Sequence, residues 1–420
     1  MLSRPLRRDA LALGCALAAA APACTGAVRR APAGPALDAS AAAAADDSIR
    51  FIDDDYTRAL SEARVRGVPL FVDAWAAWCH TCLSMRAFVF GDPRLRPLSR
   101  RFVWLSIDTE RADNAALVTR LGVSVLPTLF VVDPRDERVA LAWPGALTAQ
   151  ELAAMLERAA GGAGPEGPLA VDASVARASR DGRFAECAAT AAREAPRMPP
   201  GTALADVLRS GIECAGRLRD DPSARRRLAD LAALGERVAS DPAQPILADD
   251  RSDLFDYVIG AYRSLARDDD AGRLALGWAA FLEDQAARAP TAQARAVFDA
   301  HRLLAYVAIG EPQRAVPMLE QSERDFPADY NPPARLGAAY LALRRYDDAL
   351  AACDRALDRA YGPRKLRVWS LLADVLVAKG DVAGARAALR AAIEFARGVP
   401  LTGRYPEQLE VLRKRLAELR

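Results

Sequence analysis

The sequence predicts an α/β domain followed by an all-α helical-repeat domain. Between residues 49 and 160, short apolar runs that are typical of buried strands alternate with stretches of helical spacing. Beyond residue 168 there is no convincing strand pattern, and helical stretches rich in Ala, Leu and Arg are separated by Asp, Gly and Pro. Near the C-terminus, small and apolar residues recur after 34 and then 36 residues, which indicates stacked helix pairs.

The composition of the 420 residues excludes several functional classes. Hydrophobic residues make up 51% and charged residues 27%, which is ordinary for globular domains. The net charge of +2 gives no basic footprint for nucleic acid or for an anionic membrane surface. The only histidines are His80 and His301, so we expect no histidine-rich metal site, and we interpret His301 as an ordinary member of a helix face.

Residues 1–23 have the pattern of a signal peptide. A basic segment, residues 4–8, precedes an apolar run of 14 residues that is too short to span a bilayer. Small residues then lead to Cys24, an arrangement that resembles a bacterial lipoprotein signal. We therefore expect export to the periplasmic side, with a lipid on Cys24 as the only membrane contact. Ordinary secretion with cleavage before Cys24, and lipidation at Cys15, are the alternatives.

Composition also predicts the domain boundaries. Residues 24–48 are rich in Ala, Pro and Gly without periodicity, which is typical of a flexible tether. The dense Gly and Pro of residues 161–168 predict a linker after the α/β domain of residues 49–160. The helical region divides into a generically helical part, residues 169–290, and the repeats, residues 291–420.

The α/β domain is predicted element by element from apolar runs and helical spacing. The order is helix Tyr56–Arg66, strand Pro69–Trp75, a helix from Cys79 towards Phe90, strand Phe102–Ile107, helix Ala115–Leu121, strands Thr128–Val132 and Val139–Trp143, and helix Thr148–Ala159. The last helix has a capping box, because Thr148 precedes Glu151 by three residues. Alternation of this kind implies a layered sheet with a parallel pair of strands.

The most specific signal is the pair Cys79 and Cys82 at the start of the second helix. In the first turn, Cys79 faces unpaired backbone N–H groups and the positive end of the helix dipole, and both stabilise a thiolate. Cys82 lies one turn further in and suits the resolving role, and His80 adds positive charge nearby. A Cys pair can also be half of a zinc site, but no second pair follows. We therefore expect no metal, and no cofactor beyond the redox-active disulfide.

The segment 71–82 resembles thioredoxin, and in particular the branch that contains the C-terminal domain of the disulfide interchange protein DsbD. Residues 85–95 resemble the Phe-Ser-Asp-Pro extension of that branch. The resemblance covers residues 49–160. The chain departs from the family in two ways: His-Thr replaces Gly-Pro between the cysteines, and Trp104 stands where thioredoxin has a buried Lys. Redox potential and proton-transfer rate therefore do not carry over.

The resemblance implies roles for further residues. Asp73, six residues before Cys79, matches the buried carboxylate that relays a proton to and from the resolving Cys. Leu126, Pro127 and Thr128 match the cis-proline loop, whose backbone pairs with the substrate chain. The alternatives are that Asp73 is only a satisfied buried polar residue and that Pro127 is a trans proline at a strand start.

Trp75 and Trp78 match the aromatic shoulder of the thioredoxin site. The resemblance implies that Trp78 contacts the substrate, and we expect the same of His80. The alternative is that both tryptophans only pack.

The C-terminal period resembles the tetratricopeptide repeat. Gly310, Ala315 and Leu319 recur as Arg344, Ala349 and Cys353, and again as Gly380, Ala385 and Leu389. The small residue at the middle position lets two antiparallel helices approach closely. Cys353 is expected to be a small core residue.

Two further cysteines, Cys187 and Cys214, fall on consecutive predicted helices at similar heights from the loop that joins them. In an oxidising compartment this placement predicts a structural disulfide. The alternative is two separately buried thiols.

These patterns together predict an exported thiol–disulfide oxidoreductase, more specifically a reductase that uses Cys79 and Cys82. Its partners would be a protein disulfide or dithiol substrate and a separate electron donor, and the helical repeats would bind a protein partner. The first alternative is a redox-inactive or redox-sensing scaffold that uses the repeats for assembly. An oxidase or isomerase is the second, because of His80.

Overall fold

A mixed five-stranded sheet forms the centre of the first domain. The computed structural model describes residues 48–218 and 220–419, so the predicted signal peptide, Cys15, Cys24 and the tether up to residue 47 lie outside the described residues. The strands are β1 Phe51–Asp53, β2 Leu70–Trp75, β3 Val103–Asp108, β4 Thr128–Val132 and β5 Val139–Pro144. Their order is β1-β3-β2-β4-β5, with β1, β3 and β2 parallel and the last two antiparallel to their neighbours. Strand β1 was not predicted, because three residues are too few to show a pattern.

Four α-helices flank this sheet: α1 Tyr56–Arg66, α2 His80–Ser84, α3 Ala115–Leu121 and α4 Ala149–Ala160. The capping box of Thr148 and Glu151 is present at the start of α4. The helix predicted from Cys79 towards Phe90 is not uniform, since α2 gives way to a π-helical turn, Met85–Val89. Such turns insert an extra residue and occur often at functional sites.

Alternation along β2 divides the core into two layers. Leu70, Val72 and Ala74 pack with α1 and α3 on one face of the sheet. Phe71 faces the other side, in the cluster that contains α4 residues and Met85. Because side chains alternate along a strand, Asp73 lies on the Phe71 side of the sheet.

The rest of the described chain is helical from residue 168 onward. Its helices are α5 Pro168–Arg180, α6 Phe184–Glu194, α7 Thr202–Arg217, α8 Pro222–Ser240, α9 Ala248–Ser264, α10 Asp268–Arg288, α11 Ala292–Ala296, α12 Asp299–Ala308, α13 Ala315–Asp325, α14 Asn331–Ala342, α15 Tyr346–Arg359, α16 Lys365–Lys379, α17 Val382–Phe395 and α18 Tyr405–Glu418. Pro168 is the first residue of α5, where its fixed φ suits a helix start. The predicted linker therefore ends at residue 167.

The C-terminal helices stack as predicted from the period. Ala315, Ala349 and Ala385 are each fully buried, as the close approach of paired helices requires. Cys353 is a buried free thiol in the same layer.

Helices α6 and α7 are joined by a disulfide between Cys187 and Cys214, with the two Cα atoms 6.1 Å apart. Both cysteines are fully buried. The structure thus shows the bridged arrangement rather than two separate thiols.

The Gly- and Pro-rich linker does not hold the two domains apart. The described residues, 48–218 and 220–419, belong to one compact unit. Leu83 and Phe88, which belong to the first domain, pack against the core of the helical domain, and the ring of Phe88 lies 6.2 Å from that of Phe298. No helix among the described residues is long and apolar enough to cross a membrane.

The close contact between α6 and α7 gives a stability prediction. A Cβ atom at Gly211 would lie 2.4 Å from the Cβ of Ala191 and 3.1 Å from a methyl group of Leu231. We expect Gly211→Ala to destabilise the protein by roughly 1–3 kcal/mol because the helices must separate. Chemical denaturation with the disulfides oxidised measures this.

Gly260→Ala is the matched control, since Gly260 is also inside a helix of this domain but has open space around its Cβ position. This change should stabilise the protein slightly, by about 0.5–1 kcal/mol. Equal effects of the two substitutions would contradict the packing argument.

Candidate active site

The Cys79–Cys82 disulfide lies at the start of α2, the helix that follows β2. Cys79 is the N-cap residue of α2 and is bonded to Cys82, with an S–S distance of 2.06 Å and a Cα–Cα distance of 5.2 Å. The backbone N–H of Cys82 donates to the Cys79 sulfur at 3.1 Å. An N–H group aimed at this sulfur would stabilise a thiolate after reduction. Cys79 is 3% exposed and Cys82 is fully buried.

The loop before β4 lies against this disulfide. The peptide bond between Leu126 and Pro127 is cis. Leu126 is half-buried and packs against the cluster formed by Ala76 and the two cysteines. Thr128 is buried and its hydroxyl donates to the Val125 carbonyl at 2.6 Å, so this side chain is used within the loop.

Asp73 is buried on β2, with 1% of its surface exposed. Its carboxylate forms an ion pair with Arg86, whose Nε lies 3.6 Å from Asp73 Oδ2, but neither oxygen accepts a hydrogen bond from the described residues. Burial raises the pKa of Asp73 to about 7, although the Arg86 charge opposes the rise. Arg86 also stacks on the indole of Trp75, with its guanidinium carbon 3.5 Å from the ring centroid.

Arg86 was not singled out in the sequence. The family pattern has a buried Lys at the position of Trp104, so this chain lacks that cation. The structure supplies a cation to Asp73 from another element, the π-helical turn after α2.

His80 contacts the helical domain rather than an open substrate surface. Its Nδ1 lies 3.0 Å from Asp249 Oδ2, and its ring centroid lies 4.2 Å from that of His301. Burial by itself would lower the pKa of His80, but the carboxylates of Asp249 and Asp253 outweigh this and raise the pKa to about 9. His301 lies on α12 and is 2% exposed, so the face of the helix that carries it is buried.

Trp78 also makes its contacts with other residues of this chain. Its indole N–H donates to Glu110 Oε1 at 2.8 Å, and the hydroxyl of Tyr405 donates to the same oxygen at 2.6 Å. The guanidinium of Arg364 lies 4.7 Å above the Trp78 ring. The substrate contacts expected of Trp78 and His80 are therefore replaced, in this structure, by contacts with the helical domain.

The repeats also reach the segment just before Cys79. The side-chain amide of Asn331 donates to the Ala77 carbonyl at 3.1 Å. Tyr330 and Val368 belong to a small apolar cluster against which Ala77 packs. The domain boundary therefore runs alongside the disulfide.

The backbone of the helical domain approaches that of the thioredoxin-like domain closely at Gly362. A Cβ atom there would lie 2.0 Å from the carbonyl oxygen of Glu110, and the residue has a φ of +55°. Only glycine combines that conformation with so close an approach.

Sequence reasoning missed the helical-domain residues at this site. One signal was available: Asp249 and Asp253 are four residues apart and therefore share a face of α9 next to apolar residues. Nothing in the local pattern connects them with His80, which precedes Asp249 by 169 residues.

Comparison with known proteins agrees with this architecture. A family profile for thioredoxin-like domains matches residues 56–160, and one for tetratricopeptide repeats matches residues 330–398. The thiol:disulfide interchange protein DsbD of Salmonella typhi is 30% identical over 86 residues, which cover 20% of this chain and 15% of that protein. DsbD of Cronobacter sakazakii is 32% identical over 88 residues, with the same coverages of 20% and 15%.

Among solved structures, a thermophilic TPR protein of Thermus thermophilus is 21% identical, with a TM-score of 0.29, over 50% of this chain and 98% of that one. The chain spans only 15% of the length of the curated relatives given above.

These matches confirm the two-part prediction: the chain contains a thioredoxin-like domain and tetratricopeptide repeats. The bridged Cys79–Cys82 pair lies within the thioredoxin-like domain, and the chain is similar to DsbD over 86 residues.

The buried Asp73 gives a pH prediction. Its pKa of about 7 lies above the value of an unfolded chain, so the wild type loses stability as the pH rises from about 4 to about 7. Asp73→Asn removes this loss and should exceed the wild type by about 2–4 kcal/mol in free energy of unfolding at pH 8. Below pH 4 the two proteins should be similar. Denaturation across the pH range measures the difference.

Arg86→Gln serves as the second variant, because Arg86 lowers the pKa of Asp73. Without Arg86 the pKa of Asp73 should be higher, so the variant should go on losing stability up to a higher pH than the wild type does. A difference between Asp73→Asn and wild type that does not depend on pH would show that Asp73 does not titrate in the folded protein.

Proposed function

We propose that the protein is an exported thiol–disulfide reductase, lipid-anchored at Cys24, that exchanges disulfides with a protein substrate. The observation that carries the proposal is the Cys79–Cys82 disulfide at the start of α2, with the Cys82 N–H aimed at the Cys79 sulfur and the cis-Pro127 loop beside it. Members of this class use such a disulfide as their redox group, and no other cofactor enters the proposal.

The reduced enzyme begins the reaction. The Cys79 thiolate attacks one sulfur of the substrate disulfide, and the other substrate sulfur leaves as a thiolate. The Cys82 thiolate then attacks Cys79 Sγ, which releases the second substrate sulfur and closes the Cys79–Cys82 bond. Two electrons pass to the substrate, and a separate dithiol donor must reduce the enzyme again.

Asp73 is the residue proposed to exchange a proton with Cys82. A carboxyl group whose pKa lies near 7 can both accept and return a proton at neutral pH. Arg86 is proposed as a positioning residue, since its charge keeps that pKa from rising further.

The helical domain is proposed to select the substrate. It contacts Trp78 through Arg364 and His80 through Asp249, on both sides of Cys79, and Cys79 is almost fully buried. We infer that a substrate disulfide enters as an extended segment along Leu126, the half-buried residue of the cis-proline loop. A disulfide on a flat surface of a folded substrate could reach Cys79 only if the helices of the helical domain moved.

Reduction rather than oxidation is favoured by the similarity to the interchange protein DsbD, which covers 20% of the chain. Export rests on the sequence of residues 1–24: a basic segment, a short apolar run and a Cys after small residues. The two internal disulfides fit an oxidising compartment.

The second candidate is a redox-sensing scaffold. It is favoured by the burial of Cys79 and by the hydrogen bonds that connect the disulfide loop to the repeats, because opening the disulfide would then disturb the repeats. In that case the protein would respond to redox conditions without turning over a substrate.

Insulin reduction with dithiothreitol as the donor distinguishes the two candidates. We expect wild-type protein to accelerate precipitation of the insulin chains, and Cys79→Ser to lose at least 100-fold of that activity because no nucleophile remains. Cys353→Ser is the matched control, since it removes a buried free thiol elsewhere in the chain and should leave the rate unchanged. Equal rates for wild type and Cys79→Ser would favour the scaffold.

The lipid anchor is tested on the mature protein. Mass spectrometry of protein purified from bacterial membranes should show an N-terminus at Cys24 carrying acyl chains. Cys24→Ala should appear in the soluble periplasmic fraction or remain unprocessed, whereas Cys15→Ala should behave as the wild type. A mature protein that starts at Cys24 without acyl groups would show ordinary secretion.

A further inference from the structure

His80 and His301 come together at a point where the chain also places a buried carboxylate. One ring nitrogen of each histidine and one oxygen of Asp249 lie within 4.8 Å of one another. The His80 side chain is 27% exposed, while those of Asp249 and His301 are 0% and 3% exposed. These residues come from α2, α9 and α12, so three separate elements converge here.

The spacing suits a small metal ion. His80 Nδ1 lies 3.0 Å from Asp249 Oδ2, and His301 Nδ1 lies 3.7 Å from Asp249 Oδ1. Ligands held about 2.0–2.2 Å from a tetrahedral zinc ion are themselves roughly 3.4 Å apart. One atom from each of the three residues lies within 4.8 Å of the others, so a bound ion would draw these atoms together by up to about 1.4 Å.

The environment of His301 Nδ1 is the strongest indication of a metal site. It is buried and has no hydrogen-bond partner among the described residues. The other ring nitrogen, Nε2, lies 3.0 Å from Asp253 Oδ1, to which it donates when protonated. In the neutral ring, Nδ1 then carries a lone pair that faces a carboxylate oxygen, which is an unfavourable arrangement unless a cation lies between them.

Asp253 lies where metal sites usually have an outer carboxylate, beside the second ring nitrogen of His301. Metal-ligating histidines usually donate their second ring N–H to a carboxylate, which fixes the tautomer and strengthens the ligand. Asp249 and Asp253 both act on His80, at 3.0 and 3.8 Å, and a bound divalent cation would take over the charge that His80 supplies to them. The nearby Arg209 is engaged with Asp206 at 3.1 Å.

We propose that His80, His301 and Asp249 bind a divalent first-row transition-metal ion, with Zn²⁺ as the probe ion and Asp253 as the outer carboxylate that orients His301. Imidazole and carboxylate ligands together suit zinc and its neighbours in the series. Three protein ligands leave a fourth position open. The ion replaces any proton on the ligating nitrogens and fastens α2, which begins beside Cys79, to α9 and α12.

The test uses the full chain with its disulfides oxidised, so that Cys79 and Cys82 offer no thiolates. After treatment with a chelator, titration calorimetry with Zn²⁺ should show one site that His301→Gln abolishes. Asp253→Asn should weaken binding by 10–100-fold, as expected for an outer carboxylate. Asp230→Asn, which removes an exposed carboxylate from α8, is the control and should bind as the wild type does. Co²⁺ should give the absorption bands of a tetrahedral site.

His80→Gln provides a second ligand variant, at a more exposed position, in case His301→Gln does not fold. It too should lose the site. All variants retain the remaining cysteines, so differences between them report on this cluster alone. Zinc binding that is equal in wild type and in both histidine variants would overturn the proposal and leave the cluster as a hydrogen-bonded contact between the domains. The insulin assay measures the activity of Cys79, so its result tests the proposed function separately from zinc binding.

Discussion

Hydrogen bonds from the helical domain hold the loop that carries the Cys79–Cys82 disulfide. Ahead of the disulfide, Asn331 bonds to the Ala77 carbonyl, and the indole of Trp78 shares Glu110 with Tyr405. After Cys79, His80 bonds to Asp249. The position of α2 relative to the sheet therefore depends on both domains, and a protein cut after α4 would lose these partners.

Two ionisable groups near this loop, Asp73 and His80, each have a partner. Burying an ionised group without a partner costs several kcal/mol, so such groups are found paired or hydrogen-bonded. Asp73 is paired with Arg86, and His80 with Asp249 at the domain boundary. The two pairs differ in origin, since the first lies within the thioredoxin-like domain and the second joins two domains.

This arrangement limits what the similarity to DsbD can explain. That similarity covers 20% of the chain, whereas the residues just before and after Cys79 also contact the helical domain, through Asn331 and Asp249. The Cys79–Cys82 disulfide and the cis-proline loop lie in the thioredoxin-like domain, and the contacts to Ala77 and His80 come from the helical domain.

The sequence by itself determined what depends on neighbours along the chain. Short apolar runs predicted β2 to β5, helical spacing predicted α1 and α3, a capping box marked the start of α4, and the period of small residues predicted the repeats. It also gave Cys79, Cys82 and the Asp73 position through a local motif. Only the tertiary structure decided that Arg86 pairs with Asp73 and that His80 meets Asp249 and His301. Those contacts join residues up to 221 positions apart, from His80 to His301, and a local pattern carries no information about which distant helix packs there.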